Sequence, residues 1–274
     1  MKTLIKIYEG EKRNGKNVLI LTGIHGDEIT PIYTIASMIK DNNFNLKYIN
    51  KLTILNGVNI SGIKKANREM IENKTKDLNR ILTNTSEEDA IKLLKDKISE
   101  NDIIIDIHSS PSCTEFVLID IDEYTNTIKS WCDKSDVKYG FRYSGANTIK
   151  RYCLEQEKPA LTLEINKMKI IDFESAEKTT YLINNLLKNI DFRLYESIPN
   201  VKEMIEIKTY QEGLLEHHYF NGENFHNGDI LYTLFDFELN EIFKMIAKFD
   251  GYILCEPDNS FVNRGDIIYA VQPI

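Results

Sequence analysis

The chain has 274 residues, of which 42% are hydrophobic and 28% charged. That is the balance of a soluble globular protein with ample apolar material for a core. Lys and Arg number 34 against 42 Asp and Glu, a formal charge of −8, which argues against a nucleic-acid polyanion as partner. Lys64-Lys65 and similar stretches read as solvated faces without interleaved aromatics. Cys113, Cys132, Cys153 and Cys255 are widely spaced and form no CxxC pair, so they read as buried or incidental thiols of a reducing compartment. The first residues, Met1 to Lys6, show no signal-peptide block, and no run approaches the ~20 apolar residues of a membrane helix. The expectation is a cytoplasmic protein without membrane contact.

In chain order, residues 18–22 read as a buried strand, and Asp27 to about Lys40 as a helix opening near Pro31. Leu52 to Leu55 is a second strand, closed by Asn56-Gly57. Asn59 to Lys76 is polar and irregular and is expected to be a long loop, often a functional element in a compact domain. Ser86 to Glu100 is expected to be helical. Ser86 caps it, Glu87 and Glu88 fill its first turn, and Ile91, Leu94 and Ile98 have helical spacing. Asp102 to His108 is a continuous apolar strand, as when both sheet faces are covered, and Phe116 to Ile119 is another. Tyr124 to Lys134 is expected to be helical, with Trp131 as a packing residue. Thr148 to Glu157 is expected to be helical and to stop at Pro159. Ala160 to Ile165 is a strand and Phe173 to Leu187 a helix. Strands alternating with helices predict an α/β fold with a mixed, mostly parallel sheet.

The pattern changes near residue 200, which predicts one domain over 1–197 and a small all-β, barrel-like domain over 198–274. His226-Asn227-Gly228-Asp229-Ile230-Leu231-Tyr232 recurs 37 residues later as Asn263-Arg264-Gly265-Asp266-Ile267-Ile268-Tyr269. Two copies suit two related turn–strand units rather than a solenoid. The echo makes Tyr232 and Tyr269 equivalent packing positions. The region loosely suggests a biotinyl-like barrel, but no lysine sits on a recognisable hairpin tip, so a packing domain is the better reading.

Chemistry concentrates at two strand ends. Gly23-Ile24-His25-Gly26-Asp27-Glu28-Ile29 follows the apolar run Val18 to Leu21, and Ile103-Ile104-Ile105 ends in Asp106-Ile107-His108. Ligands of open α/β sheets sit outside the carboxyl ends of the strands, and two imidazoles with a carboxylate are a zinc-type donor set. On pattern alone, a metal site and ordinary surface or core histidines are equally good readings. His217-His218 and His226 read as surface residues, since adjacent strand residues point to opposite faces. There is no GxGxxG phosphate loop and no GxSxG elbow.

Several motifs in one order carry a resemblance. Gly23 to Glu28, Asn59-Ile60-Ser61-Gly62, Arg68, Asp77-Leu78-Asn79-Arg80, Asp106 to Ser109 and Leu161 to Glu164 resemble the zinc carboxypeptidase-like superfamily. The branch they most resemble is succinylglutamate desuccinylase/aspartoacylase. The resemblance covers about residues 15–170 by motif and implies a three-layer αβα domain with an appended β domain. It assigns one Zn²⁺ per chain to His25, Glu28 and His108, with a coordination position left for water. Asp106 is placed to orient a ligand histidine, or is an ordinary strand-end carboxylate. The resemblance makes Glu164 the general base that later protonates the leaving amine, and Arg68 the group that holds the scissile carbonyl oxygen. Asn79 and Arg80 become the clamp for a substrate carboxylate. Arg151, with Thr148, is a candidate for the acyl end of the substrate, with a helix-surface role as the alternative. Tyr269 is a candidate substrate contact, with packing as the alternative.

The expected activity is zinc-dependent hydrolysis of the amide bond of a small N-acyl amino acid or similar carboxylate. The alternative is a metallocarboxypeptidase that removes a C-terminal residue. A third reading, a non-catalytic binder, fits poorly with intact His25, Glu28, His108 and Glu164. The sequence leaves the oligomeric state open, a homo-oligomer included.

Overall fold

The computed structural model describes residues 2–70, 77–80, 82, 89–110, 115–122, 124–142, 147–166, 168–190, 202–256 and 259–274. Its first sheet has seven strands: β1 (Leu4–Glu9), β2 (Asn17–Thr22), β3 (Lys51–Asn56), β4 (Ile103–Ser110), β5 (Phe116–Asp120), β6 (Tyr139–Arg142) and β7 (Ala160–Asn166), in the order β1-β3-β2-β4-β7-β5-β6. β3, β2, β4 and β7 pair in parallel. β1 runs antiparallel to β3 on one edge, and β5 pairs antiparallel with β7 and parallel with β6. The sheet is therefore mixed and mostly parallel.

Successive strand residues point to opposite faces, and each parity finds its own helices. Val18, Ile20, Ile105 and Leu163 pack with α1 (Ile29–Lys40), α4 (Thr125–Ser135) and α6 (Phe173–Lys188). Leu19, Leu21, Leu55 and Ile104 pack with α3 (Asp89–Ser99) and α5 (Ile149–Glu155). Three layers result, with both faces of β2 and β4 buried, as their unbroken apolar runs require. Trp131 is fully buried on the first side, its indole N–H donating to the Leu186 carbonyl at 2.8 Å. It is a packing residue, as expected.

Some local expectations change. The stretch from Asn59 is not all loop: it opens with α2 (Ile60–Lys65), whose first turn Asn59 caps by accepting the Gly62 N–H. Six residues are too few to show a helical period. Edge strand β1 also escaped the sequence reading. Its Leu4, Ile5 and Ile7 are largely exposed, so burial writes no polar–apolar alternation into it. The cap at Ser86, with Glu87 and Glu88, lies outside the described residues, as do Cys113 and the proposed domain boundary between residues 197 and 198.

After residue 201 come β8 (Ile205–Lys208), β9 (Gly213–His217), β10 (Asn224–Phe225), β11 (Ile230–Phe235), β12 (Glu241–Ile246), β13 (Gly251–Cys255), β14 (Phe261–Val262) and β15 (Ile267–Pro273). They form two antiparallel four-stranded sheets, β10-β13-β15-β8 and β12-β11-β9-β14. The repeated heptad makes the same turn twice. Asp229 accepts the His226 N–H at 2.7 Å and Asp266 accepts the Asn263 N–H at 2.8 Å. Gly228 and Gly265 take φ of +97° and +95°, a region open to glycine. Each turn feeds a strand whose tyrosine, Tyr232 or Tyr269, is fully buried in the core between the sheets.

This β unit rests on the β5–β6 edge. Leu254 is buried against Phe116 and Leu118, and the Phe141 N–H donates to Gln272 Oε1 at 3.1 Å. Truncation of a buried leucine leaves a cavity that the structure refills only partly. Leu254→Ala is therefore expected to lower unfolding stability by about 2–4 kcal/mol, read by chemical denaturation, with early loosening of the C-terminal unit in proteolysis.

Candidate metal centre and substrate cavity

The site is built where β2 and β4 end. Gly23 adopts a φ of +68° and turns the chain sharply out of β2. Gly26 then lies against α2, where a side-chain Cβ would stand 2.1 Å from the Gly62 carbonyl carbon. No other residue fits that approach without moving backbone. The Asn59 amide locks the two segments together by donating to the Ile24 and Arg68 carbonyls at 3.3 and 3.2 Å. His25 and Glu28 are thereby fixed on one turn, beside His108 on β4.

The three side chains are buried, and one donor atom of each lies within 4.8 Å of the others. His25 Nδ1 is 2.6 Å from Glu28 Oε1, His108 Nδ1 is 3.0 Å from Glu28 Oε2, and the two Nδ1 atoms are 3.1 Å apart. The far nitrogens are taken by carboxylates: Asp77 lies 3.2 Å from His25 Nε2 and Asp106 lies 2.8 Å from His108 Nε2. Carboxylates that hold the Nε2–H leave both Nδ1 lone pairs pointing at one place. The donor set and its direction fit a metal ion. The Ser109 N–H donates to Glu28 Oε2 at 3.1 Å, steadying the carboxylate.

Electrostatics follow the geometry. Burial alone would raise the Glu28 carboxyl, but the charge and hydrogen bonds of His108, and then those of His25, outweigh it and hold it at about 2. For Asp77, burial is again overcome, here by His25, Arg68 and the Asn79 N–H, and the carboxyl lies well below its ordinary range. For His108, burial favours the neutral ring, yet Asp106 and Glu28 raise its pKa well above the usual value.

A cavity of about 250 Å³ opens over these groups, and its lining includes His25, Glu28, His108, Arg68, Asn79, Arg80 and Glu164. Glu164 lies beside His108 in the β4–β7 register and accepts the Ser110 hydroxyl at 2.5 Å. Arg68 donates through Nε and its terminal nitrogen to Asp77 Oδ2 at 3.3 and 3.2 Å, and another terminal nitrogen reaches within 3.9 Å of Glu28. Asn79 Oδ1 accepts the Ile149 N–H at 2.9 Å, which ties the clamp segment to the start of α5.

Two candidates are not brought to this cavity. Arg151 is exposed and pairs with Glu155 at 3.2 Å, one helical turn on. Its neighbour Lys150 faces the cavity instead. Tyr269 is buried inside the C-terminal unit, its hydroxyl donating to the Leu231 carbonyl at 2.8 Å. His217 meets that hydroxyl at 2.9 Å, while His226 is exposed. The sequence reading missed Asp77 as the partner of His25, Ser110 as the partner of Glu164, and Arg142 and Lys150 in the lining. Strand parity pairs Ser110 with His108, but the other three depend on tertiary contacts.

The comparisons agree with this architecture. Residues 14–190 match the family model of the succinylglutamate desuccinylase/aspartoacylase catalytic domain. The chain belongs to that family, whose members are deacylases acting on small molecules. The fold is shared with succinylglutamate desuccinylase/aspartoacylase from Rhodobacter sphaeroides, at 16% identity and TM-score 0.76, over 98% of this chain and 88% of that one. The product-bound ectoine utilization protein EutE (DoeB) from Ruegeria pomeroyi gives 13% identity and TM-score 0.75 over the same shares. An aspartoacylase family protein from Mesorhizobium loti gives 16% and 0.74, again over 98% and 88%. No curated protein matches the chain in sequence. Among the described residues, no helix is long and apolar enough to cross a membrane.

Two outcomes are expected. Asp106→Asn, which removes the charge behind His108, should weaken metal binding about 10- to 100-fold with the fold intact, read by competition with a chromophoric chelator. Asp106 and Glu28 favour the protonated form of the His108 ring, so a proton competes with a metal ion at its Nδ1. Metal uptake must expel it, so affinity should fall as pH falls. Calorimetry in buffers of different ionisation enthalpy should show proton release.

Proposed function

We propose that the protein is a zinc-dependent amidohydrolase that cleaves the amide bond of a small N-acyl amino acid or similar carboxylate. The observation that carries this reading is the convergence of three groups in one small cavity. These are the buried His25–Glu28–His108 donor set, the Glu164 carboxylate on the adjacent strand, and the Asn79–Arg80 pair. One zinc ion per chain would be held by His25, Glu28 and His108, and would supply a Lewis acid that activates water and polarises a carbonyl.

The chain's own residues do the rest. Glu164, oriented by Ser110, takes the proton of the attacking water and delivers it to the leaving nitrogen. Arg68, held by Asp77, stabilises the carbonyl oxygen as negative charge develops on it. Arg80 offers parallel N–H donors to a substrate carboxylate, a match of guanidinium to two oxygens. Asn79 supports it from the same turn. A cavity of about 250 Å³ suits a compact N-acyl amino acid better than the extended chain of a metallocarboxypeptidase substrate. A cytoplasmic setting is part of this reading.

The test is a hydrolysis screen of zinc-loaded protein on N-acetyl and N-succinyl amino acids and on short peptides, with and without chelator. Release of free amino acid from the N-acyl compounds that stops with chelator is expected. Loss of C-terminal residues from peptides would make it a carboxypeptidase instead. Glu164→Gln should lower kcat by about 10²–10⁴ while metal analysis still finds one zinc per chain. Near-normal turnover in that variant would remove Glu164 from the mechanism.

A further inference from the structure

We infer that β12 is the contact edge of a symmetric dimer, in which two copies of this chain pair antiparallel and join two four-stranded sheets into one. The inference is independent of the reaction and concerns a face of the molecule remote from the cavity lining.

β12 ends one side of its sheet, and β8 ends one side of the other. The two strands line a groove of about 500 Å³ and do not pair with each other. Ala247, just past β12, spends its N–H on the Asp229 carbonyl at 2.8 Å and its carbonyl on the Gly228 N–H at 2.9 Å. Neighbouring strand residues alternate in the direction of their hydrogen bonds, so the N–H and C=O of Ile246 face out of the sheet. An open edge is a template for another strand, and proteins blunt it with proline, free charges or a covering element. β12 contains no proline, and its one lysine, Lys244, is neutralised by Glu241 at 2.5 Å.

Apolar side chains gather along this edge. Phe237 is 81% exposed, Leu239 71% and Ile246 53%, with Ile205 and Tyr210 exposed across the groove. The tip that carries Phe237 and Leu239 is ordered by hydrogen bonds. The Asp236 carboxylate accepts the Glu238 and Asn240 N–H groups at 2.8 and 2.9 Å. Leu239 takes a φ of +64°, a conformation costly for a residue with a Cβ. A strained, closed tip that holds two large apolar groups in water fits a contact surface better than a solvated turn.

Charge names the partner. Asp236 and Glu238 precede β12, and Lys248 follows it. Among the described residues neither Glu238 nor Lys248 forms an ion pair. The edge therefore runs from negative to positive. Parallel copies would set like charges side by side. Antiparallel copies set the Glu238 end of each against the Lys248 end of the other, and the apolar tip of each against the Ile246 end of the groove. That is an isologous two-fold contact, the commonest kind among oligomers.

The test is sedimentation velocity of the intact chain over a range of concentrations. A monomer–dimer equilibrium without larger species is expected, because an isologous contact closes at two copies. Ile246→Pro removes the outward N–H and spares the ladder to β11, a place where an edge strand tolerates proline. It should abolish the dimer while circular dichroism stays unchanged. Glu238→Lys and Lys248→Glu should each raise the dimer Kd about 10-fold, since each reverses two exposed contacts. Combined in one chain they should restore it. Leu239→Gly should weaken the dimer but keep or raise the unfolding midpoint, because glycine accepts the positive φ without strain.

A monomer at every concentration would overturn the inference, and so would growth into larger assemblies. A dimer indifferent to Ile246→Pro and to both charge reversals would place the contact elsewhere, such as the exposed edge β1. Failure of the paired reversal to restore what each single reversal loses would overturn the antiparallel arrangement.

Discussion

Two imidazole lone pairs and a carboxylate aimed at one buried point are the constraint on which the rest of this structure depends. Nothing about that arrangement is comfortable for a bare chain, because groups with the same sign of charge density are crowded out of water. The fold answers it with carboxylates behind the rings, Asp77 behind His25 and Asp106 behind His108, and with the Ser109 N–H on Glu28. Asp77 also receives Arg68, so the group that orients a histidine positions a cation at the cavity mouth as well.

Backbone makes that precision affordable. Gly26 approaches Gly62 so closely that it tolerates no Cβ, while a Cβ on Gly62 would meet the Asn59 amide and the Asn67 carbonyl, and Asn59 joins the two segments by its amide. The turn that carries His25 and Glu28 is therefore wedged between β2 and α2 rather than hanging as a loop. Sites carried on rigid elements hold their geometry better than sites on loops. The glycines are as much a part of the centre as the side chains they present.

Much of this was legible in the sequence, for physical reasons. The parallel core strands are unbroken apolar runs because both faces are covered, and residues at their ends have few tasks other than binding. That made His25, Glu28 and His108 stand out, whereas the role of Glu164 came from the family resemblance. The twin Asn/Arg-Gly-Asp turns were legible because a positive φ and a side chain that closes the turn need particular residues. What stayed hidden was what burial does not write into local pattern. The edge strand β1 is solvated, α2 is too short to show a period, and the contacts of Lys150 with Asp120 and of His25 with Asp77 join residues tens of positions apart. A lysine beside an arginine on a short helix gives no hint of which one turns inward, and here the inward one is Lys150.

The junction with the C-terminal unit carries a consequence of its own. Leu118 is at once a wall of the cavity and a member of the cluster that seats Leu254. One side chain thus belongs to two equilibria, ligand occupancy and docking of the β unit. Thermodynamic linkage makes any coupling between them reciprocal: the factor by which a ligand changes docking is the factor by which docking changes the ligand's affinity. The C-terminal unit, though far from His25, Glu28 and His108 in sequence, thus backs one wall of the cavity they line.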